Sequence, residues 1–341
     1  MKKVIVAILF VVTAALVFRF ITGRISQQPS EQHPELLPIR IGWQVPWATQ
    51  GQLSQILQKT TLLQDQGLQG DFKGFNYGGP LNEAALVGEV DVLFTADQPA
   101  ATLLIKDPDW IIIGRLMYNR VSLYVPPKSP IQTVADLRGK TVAMPFGAAA
   151  QRMALRAEQD AGLDLDDDVH NVNLDIYEQS DLVRDPNAHT WGEIDALAGF
   201  DPMPAIFEEQ GLIRTLYVGK VVSVIVMSKE YIKAHPDAPV AFLKAFHAAY
   251  DFYRNNISTA DQWFTEASKL TITQQALHIA ASIEPNLSSD SNGDIRLSFT
   301  DEDYAILQEA ADFLYDQSLV EQRVVMNDYI DLSYLQMASL H

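Results

Sequence analysis

The sequence predicts an α/β fold in which a second domain is inserted into the first. Three observations lead there. Strand-type and helix-type patterns alternate along most of the chain, the order that builds layered α/β domains. A middle block, residues 126–219, stands between two similar valine-bearing strands at 121–125 and 221–227, as a domain inserted between two crossing strands would. The 341 residues suffice for two domains at about 150 residues each.

The elements follow in order. Ile39, Ile41 and Trp43 alternate with other residues as in a half-buried strand, 39–43. A helix over 52–63 carries Leu53, Ile56 and Leu57 at helical spacing, and Gly67 stops it. A second strand covers 71–75. Gly78, Gly79 and Pro80 then turn the chain into a helix at 81–87, which Gly88 closes. Strands follow at 90–94, 110–114 and 121–125, before the break at Pro126, Pro127 and Pro130. Thr133 and Asp136 form a capping box for a one-turn helix ending at Gly139. A strand at 141–144, a strong helix at 147–161 and an acidic loop at 164–168 come next. A strand at 194–198 and a helix at 204–210 lead to a buried, valine-rich strand at 218–227. Beyond Ser228 the pattern is mainly helical, clearest at 239–250 and 301–314.

The N-terminus carries a different signal. Lys2 and Lys3 precede an apolar run from Val4 to Phe18, the form of a secretory signal. The run is short for a membrane span, which needs about 20 apolar residues, and it lacks a clean cleavage motif. Residues 1–23 are therefore either a signal cleaved near Gly23 or a retained inner-membrane anchor. Residues 24–38 are polar, contain Pro29, Pro34 and Pro38, and read as a linker. The compartment implied is the periplasm.

Composition narrows the function. A net charge of -18, with no basic stripe, argues against a nucleic-acid partner. The absence of cysteine removes disulfides, thiolate nucleophiles and the acylated cysteine of bacterial lipoproteins. The phosphate-binding loop, the dinucleotide fingerprint and the serine-hydrolase elbow are absent. The seven histidines are scattered, with no pair at zinc spacing. Residues 288–295 have the turn glycine of a calcium loop, but Ser288 and Phe299 stand where the strong carboxylates belong, so a polar turn is the reading. The chain is expected to need no metal or cofactor and to catalyse nothing.

Several segments carry a resemblance. They are Ile41-Gly42-Trp43-Gln44, then Phe75 through Ala84 with Gly78-Gly79-Pro80, then Gly88 through Ala100 with Thr95-Ala96-Asp97. Further on stand Val134 through Lys140, Val142 through Gly147, Ile194-Asp195-Ala196 and Phe200-Asp201-Pro202. In order and spacing these resemble the periplasmic substrate-binding proteins of ABC importers for sulfonates, taurine and nitrate, with thiamine-precursor binders as relatives. The resemblance implies a type II-like two-lobed fold, each lobe a sheet flanked by helices, with a two-strand hinge and ligand held between the lobes. Residues 39–122 with 222–341 would form one lobe and 123–221 the other. The partners implied are a small-molecule ligand and an ABC permease with its ATPase, served by a monomer; an uncleaved N-terminus would add membrane contact.

Open sheets bind ligands beyond the carboxyl ends of their strands. Trp43 and Gln44 follow the first strand, Tyr77 and Gly78 the second, and Thr95, Ala96 and Asp97 the third. Phe146, Gly147, Ala148, Gln151 and Arg152 follow a strand and open a helix, while Phe200 and Asp201 follow the last. All are candidate ligand contacts. The helix start at Gly147 offers backbone N–H groups to an anion, or is an ordinary helix start. Arg152 either pairs with the same anion or is a solvated helix arginine. Asp97 and Asp201 could accept from an ammonium, although Asp201 could equally cap the next helix. The aromatics wall the cleft or belong to the core. Alanines 148–150 stand where the family often has hydroxyl residues. The ligand expected is a small polar organic solute, taurine- or sulfonate-like. A pyrimidine-like heteroaromatic, or a sensing role at the membrane, is the alternative.

Overall fold

The structure, a computed structural model, describes residues 36–287 and 294–340. The signal or anchor, nearly all of the linker and the start of the calcium-like stretch lie outside the described residues. No helix among the described residues is long and apolar enough to cross a membrane.

Eight strands form one sheet in the order β2-β1-β3-β8-β4-β7-β5-β6. They are β1 (Leu37–Gln44), β2 (Leu68–Phe75), β3 (Val92–Ala96), β4 (Trp110–Val125), β5 (Lys140–Met144), β6 (Val169–Asn173), β7 (Ala196–Phe200) and β8 (Arg214–Ser228). The outer strands pair in parallel within each half, β2-β1-β3 and β7-β5-β6. Between them β4 and β8 pair antiparallel, from Trp110 opposite Ser228 to Val125 opposite Arg214. We call the end with β2, β1 and β3 the first lobe and the end with β7, β5 and β6 the second. One hydrogen-bonded sheet thus runs through both lobes, because β4 and β8 are shared.

Helices cover the sheet. In the first lobe, one face packs α1 (Gln50–Lys59), α8 (Ala238–Asn255) and α9 (Ile257–Ser268), counting helices in chain order. Ile39, Ile41, Leu53, Ile56, Phe242 and Phe246 fill that layer. The other face packs α2 (Gly78–Leu86), α3 (Asp97–Lys106) and α11 (Asp301–Asp316) through Leu81, Leu93, Leu103, Leu104, Leu307 and Leu314. Each such fully buried side chain contributes about 1.5–3 kcal/mol. The second lobe holds α4 (Ala149–Asp160), α5 (Ile176–Leu182) and α6 (Met203–Glu209). The remaining helices are α7 (Lys229–Ala234), α10 (Gln274–Ala281) and α12 (Ser333–Ala338).

Several sequence expectations needed adjustment. Residues 110–125 are one strand, not two. The polar residues that obscured its middle are each satisfied by a distant group: Arg115 by Glu284, Asn119 by Ser223, Arg120 by Asp201 and Glu208. Helix α3 was unread because Pro99 stands in it; Pro is tolerated there because first-turn N–H groups have no helical acceptor. Edge strand β6 is too polar to read, and α5 begins at an Asp175/Glu178 capping box that the sequence carries openly. Gly67, at φ +78°, caps a short 3-10 turn at Gln64–Gln66, not α1 itself.

Arg115 and Glu284 are both fully buried. The guanidinium donates Nη1 to Oε1 at 3.1 Å and Nη2 to Oε2 at 2.5 Å. The carboxylate also accepts the N–H groups of Tyr118 (2.7 Å) and Asn286 (3.0 Å). The pair therefore ties the crossing strand β4 to the loop after α10. Removing one charge of such a pair strands the other in low dielectric. Glu284→Gln should cost about 3–5 kcal/mol in urea unfolding; a loss below about 1 kcal/mol, the worth of an exposed pair, would refute this.

Glu158, on α4, is also fully buried, with Oε2 accepting only from Asn171 Nδ2 at 3.0 Å. Burial pushes its carboxyl pKa up to about 7, from an ordinary 4.5. Between those values the unfolded chain releases a proton that the folded chain keeps, so stability falls as pH rises through the window. The contribution lost is about 3 kcal/mol. Measured at pH 4.5 and pH 8, wild type should lose about that much more stability than Glu158→Gln; parallel pH profiles would contradict it.

Candidate functional site

The carboxyl ends of β1, β2, β3 and β5 and the N-termini of α1, α2 and α4 meet where the lobes face each other. Gln44 closes β1 beside Thr95 of β3, in continuation of the register that pairs Gly42 with Leu93. Both are fully buried. Gln50, at the start of α1, turns its Oε1 back to accept the Gln44 N–H at 2.8 Å. Gln44 Nε2 faces the Phe94 carbonyl at 3.5 Å. Three buried atoms here have no hydrogen-bond partner: Gln44 Oε1, Gln50 Nε2 and Thr95 Oγ1.

Gly78 opens α2 directly above them. A Cβ there would lie 2.4 Å from Pro99 Cβ and 3.5 Å from Thr95 Oγ1, so only glycine lets α2 start this close to α3. Across the cleft, Gly147 stands at φ +81°, and a Cβ on it would lie 3.9 Å from Gly79 Cα. The lips of the two lobes thus meet glycine to glycine. Phe146 beside them is 39 % exposed, and its N–H donates to Asn173 Oδ1 at 2.9 Å. Tyr77 belongs to the first lobe but packs on the second lobe's core. Its phenol pKa is raised by burial and then by Asp175.

The helix start of α4 behaves partly as expected. Gly147 N donates to Gln151 Oε1 at 2.8 Å and Ala148 N to the Pro145 carbonyl at 3.2 Å. The first two helical N–H groups, those of Ala149 and Ala150, have no intrahelical acceptor. Gln151 is therefore turned back on its own loop. Ala148, Ala149 and Ala150 are buried in the second lobe's core cluster, which also takes in Ala96 and Trp47 of the first lobe.

Four of the expected contacts already have partners of their own. Trp43 shares the buried layer of Ile39 and Ile41, because strand alternation points it away from Gln44. Asp97 accepts from Arg152 Nη2 at 2.7 Å and from the Val222 N–H at 3.2 Å. Arg152 also pairs with Glu309, which in turn meets Arg156. Asp201 accepts from Arg120 Nε at 2.6 Å and from the Ala205 N–H at 3.2 Å, so capping α6 is one of its tasks. Burial raises the pKa of both carboxyls, and the adjacent guanidinium opposes the shift. Both carboxylates are engaged by guanidinium groups, and Arg152 by two carboxylates.

The structure adds residues that sequence reasoning missed. Trp47 stacks on Phe200 at 4.5 Å between centroids, both fully buried, and its Nε1 has no partner. The neighbouring Ala48 N–H donates to the Asp201 carbonyl at 3.3 Å, joining the lobes. Gln98 Oε1 accepts the Arg152 N–H at 3.2 Å, a second bond across the cleft. Trp47 and Gln50 could have been found, since they follow the first strand as closely as the ligand rule requires. Among the described residues, no three His, Asp or Glu side chains group as a metal site needs.

Two three-stranded parallel ends, a shared antiparallel pair and a polar cleft between them define a two-lobed protein of the periplasmic-binding-protein fold. A sequence profile described as NMT1/THI5 like matches residues 64–260, more than half of the chain. The chain belongs to the NMT1/THI5-like family. It is 27% identical over 311 residues to an Escherichia coli (strain K12) protein named for binding aliphatic sulfonates, covering 86% of this chain and 88% of that one. The alkanesulfonate-binding protein SsuA of Xanthomonas axonopodis pv. citri, solved bound to MOPS, superposes with a TM-score of 0.70 at 21% identity, over 87% of this chain and 99% of that one. The desulfurization enzyme DSZB shares the fold at a TM-score of 0.62 and 14% identity, over 89% and 99% of the two chains.

Arg152 links the lobes through Asp97 and Glu309 while 5 % exposed. Arg152→Met should leave Asp97 buried without its guanidinium, at a cost of about 3–5 kcal/mol, unless the lobes part and water reaches it. Urea unfolding and small-angle scattering together test this. Either the stability drops or the radius of gyration grows; neither changing would show that the pair does not hold the lobes.

Proposed function

We propose that the chain is an extracytoplasmic solute-binding protein that captures a small organic anion, of the sulfonate class, and presents it to an ABC importer. One observation carries this reading: Gln50 Nε2, Thr95 Oγ1 and Trp47 Nε1 are buried donors without acceptors, on the lobe that faces the N-terminus of α4. Buried donors without partners are costly, and a ligand oxygen relieves them. A helix N-terminus favours negative charge there. The sulfonate-binding names of the similar proteins support the same class.

The paired state of Asp97 and Asp201 argues against a zwitterion such as taurine, because a buried ammonium needs a counter-charge. The stacking of Trp47 on Phe200, ring to ring, leaves that pair no face for a heteroaromatic sandwiched between them. The ligand sites proposed are Gln44, Gln50, Gly78 and Thr95 from the first lobe and Gly147 through Ala150 from the second. Residues 39–122 and 222–341 move as one body against 123–221, about β4 and β8, and the closed form gives a permease one composite surface to read. The binding-protein names of the similar proteins support capture without chemistry on the ligand.

Ethanesulfonate at a hundred times its dissociation constant should stabilise the fold by about 2.7 kcal/mol, seen as a raised thermal midpoint. Mass spectrometry after long incubation should return it unchanged. A shift with pyrimidines and none with any sulfonate would replace this reading, and a product would make the chain an enzyme.

A further inference from the structure

Donors and acceptors at the cleft are not alike, and this distinguishes ligands within the sulfonate class. The following rests on the sulfonate reading of the site. Gln44 Oε1 is an acceptor only, fully buried and without a partner. Its orientation is set by the rest of the residue, because Nε2 faces the Phe94 carbonyl and the N–H is held by Gln50 Oε1. A sulfonate head cannot satisfy it, since its three oxygens also only accept. The ligand must therefore bring a donor to the same end of the cleft.

Two donors are chemically available beside a sulfonate, an ammonium and a hydroxyl. The ammonium lacks a counter-charge: Asp97 is taken by Arg152, and Asp201 by Arg120. Arg156 meets Glu309, the second carboxylate on Arg152, so the charges of that cluster balance, while Arg120 is shared by Asp201 and Glu208. A hydroxyl needs no counter-charge. It can donate to Gln44 Oε1 and accept from Gln50 Nε2, both without partners, and the Gln50 side chain is held beside Gln44 because its Oε1 accepts the Gln44 backbone N–H. Gly79 and Gly147 stand close together across the cleft, a Cβ on Gly147 lying 3.9 Å from Gly79 Cα.

We propose that this protein selects a short hydroxyalkanesulfonate, with Gln44 and Gln50 reading the hydroxyl and Thr95 and the α4 N-terminus holding the anionic head. Gln44 is the specificity-determining residue.

Calorimetric titration with ethanesulfonate, 2-hydroxyethanesulfonate and 2-aminoethanesulfonate tests this. The hydroxyl compound should bind about tenfold tighter than ethanesulfonate, the value of one additional hydrogen bond to a buried, otherwise unpaired group. The amine should bind more weakly than the hydroxyl compound. Gln44→Leu should bring the hydroxyl and plain compounds to equal affinity. Should that variant fail to fold, Gln44→Glu supplies the missing charge and should rank the amine first. Equal binding of the plain and hydroxyl compounds by wild type would overturn the proposal and leave the sulfonate reading intact, a bridging water then filling the place of the hydroxyl. Preference for the amine by wild type would overturn it too. No binding of any of the three would remove both readings together.

Discussion

The pairing of β4 with β8 governs the positions of the other parts. Both strands run the full depth of the sheet and belong to both lobes. Because they are antiparallel to β3 on one side and to β7 on the other, the parallel strands of the two ends aim their carboxyl termini at one line. Every loop that leaves a strand there enters the cleft. The register shifts within the β4–β8 ladder lie at Ile112/Gly114, Arg115/Met117 and Leu123/Tyr124. Such bulges raise local twist and bend a strand. The Arg115–Glu284 pair sits at the second of them and supplies partners for groups that a regular ladder would have satisfied.

Closure is built from small residues and balanced charge. Ala148, Ala149 and Ala150 carry little side-chain bulk at the start of α4, which reaches the first lobe through the Arg152 N–H and Gln98, and Trp47 stacks on Phe200. Polar contacts across the gap include Arg152 to Asp97 and Glu309, Arg152 N–H to Gln98, Ala48 N–H to the Asp201 carbonyl and Asn76 Nδ2 to Asp175. Asp97 also holds the Val222 N–H of β8, so the carboxylate that receives the second lobe is anchored on the hinge strand itself. In the cluster of Asp97, Arg152, Glu309 and Arg156 the formal charges cancel, and the unpartnered groups of Gln44, Gln50 and Thr95 are hydrogen-bonding ones. In such a place geometry and donor–acceptor order decide what binds, and bulk charge decides little.

The acidic surface has a separate origin. Most of the carboxylates stand on exposed helix and loop positions, such as the Asp164–Asp168 turn, whose members bond one another's backbone N–H groups. They repel polyanions and keep the chain in solution. The anion-favouring features of the cleft act only at short range, through backbone N–H groups and neutral amides.

The alternation of strands and helices, the insertion of one lobe between two crossing strands and the segments that enter the cleft were legible in the sequence, because they depend on local periodicity and on which residue follows which. Gly78 and Gly147 were legible for the same reason: a turn or a tight approach needs a residue without a side chain, wherever the partner lies. Strand β6 and the continuity of β4 were not, because their polar residues are satisfied by groups far away in the chain, as Arg115 is by Glu284. The candidate site divides the same way. Sequence order places Gln44 and Thr95 at strand ends and Gly147 shortly after one. Only the tertiary structure decided that Trp43 faces the core, that Asp97, Arg152 and Asp201 satisfy one another's kind, and that Gln44 keeps an acceptor free. A charge's availability depends on what lies within a few ångströms in space, and that neighbourhood is assembled from residues 55 to 157 positions apart.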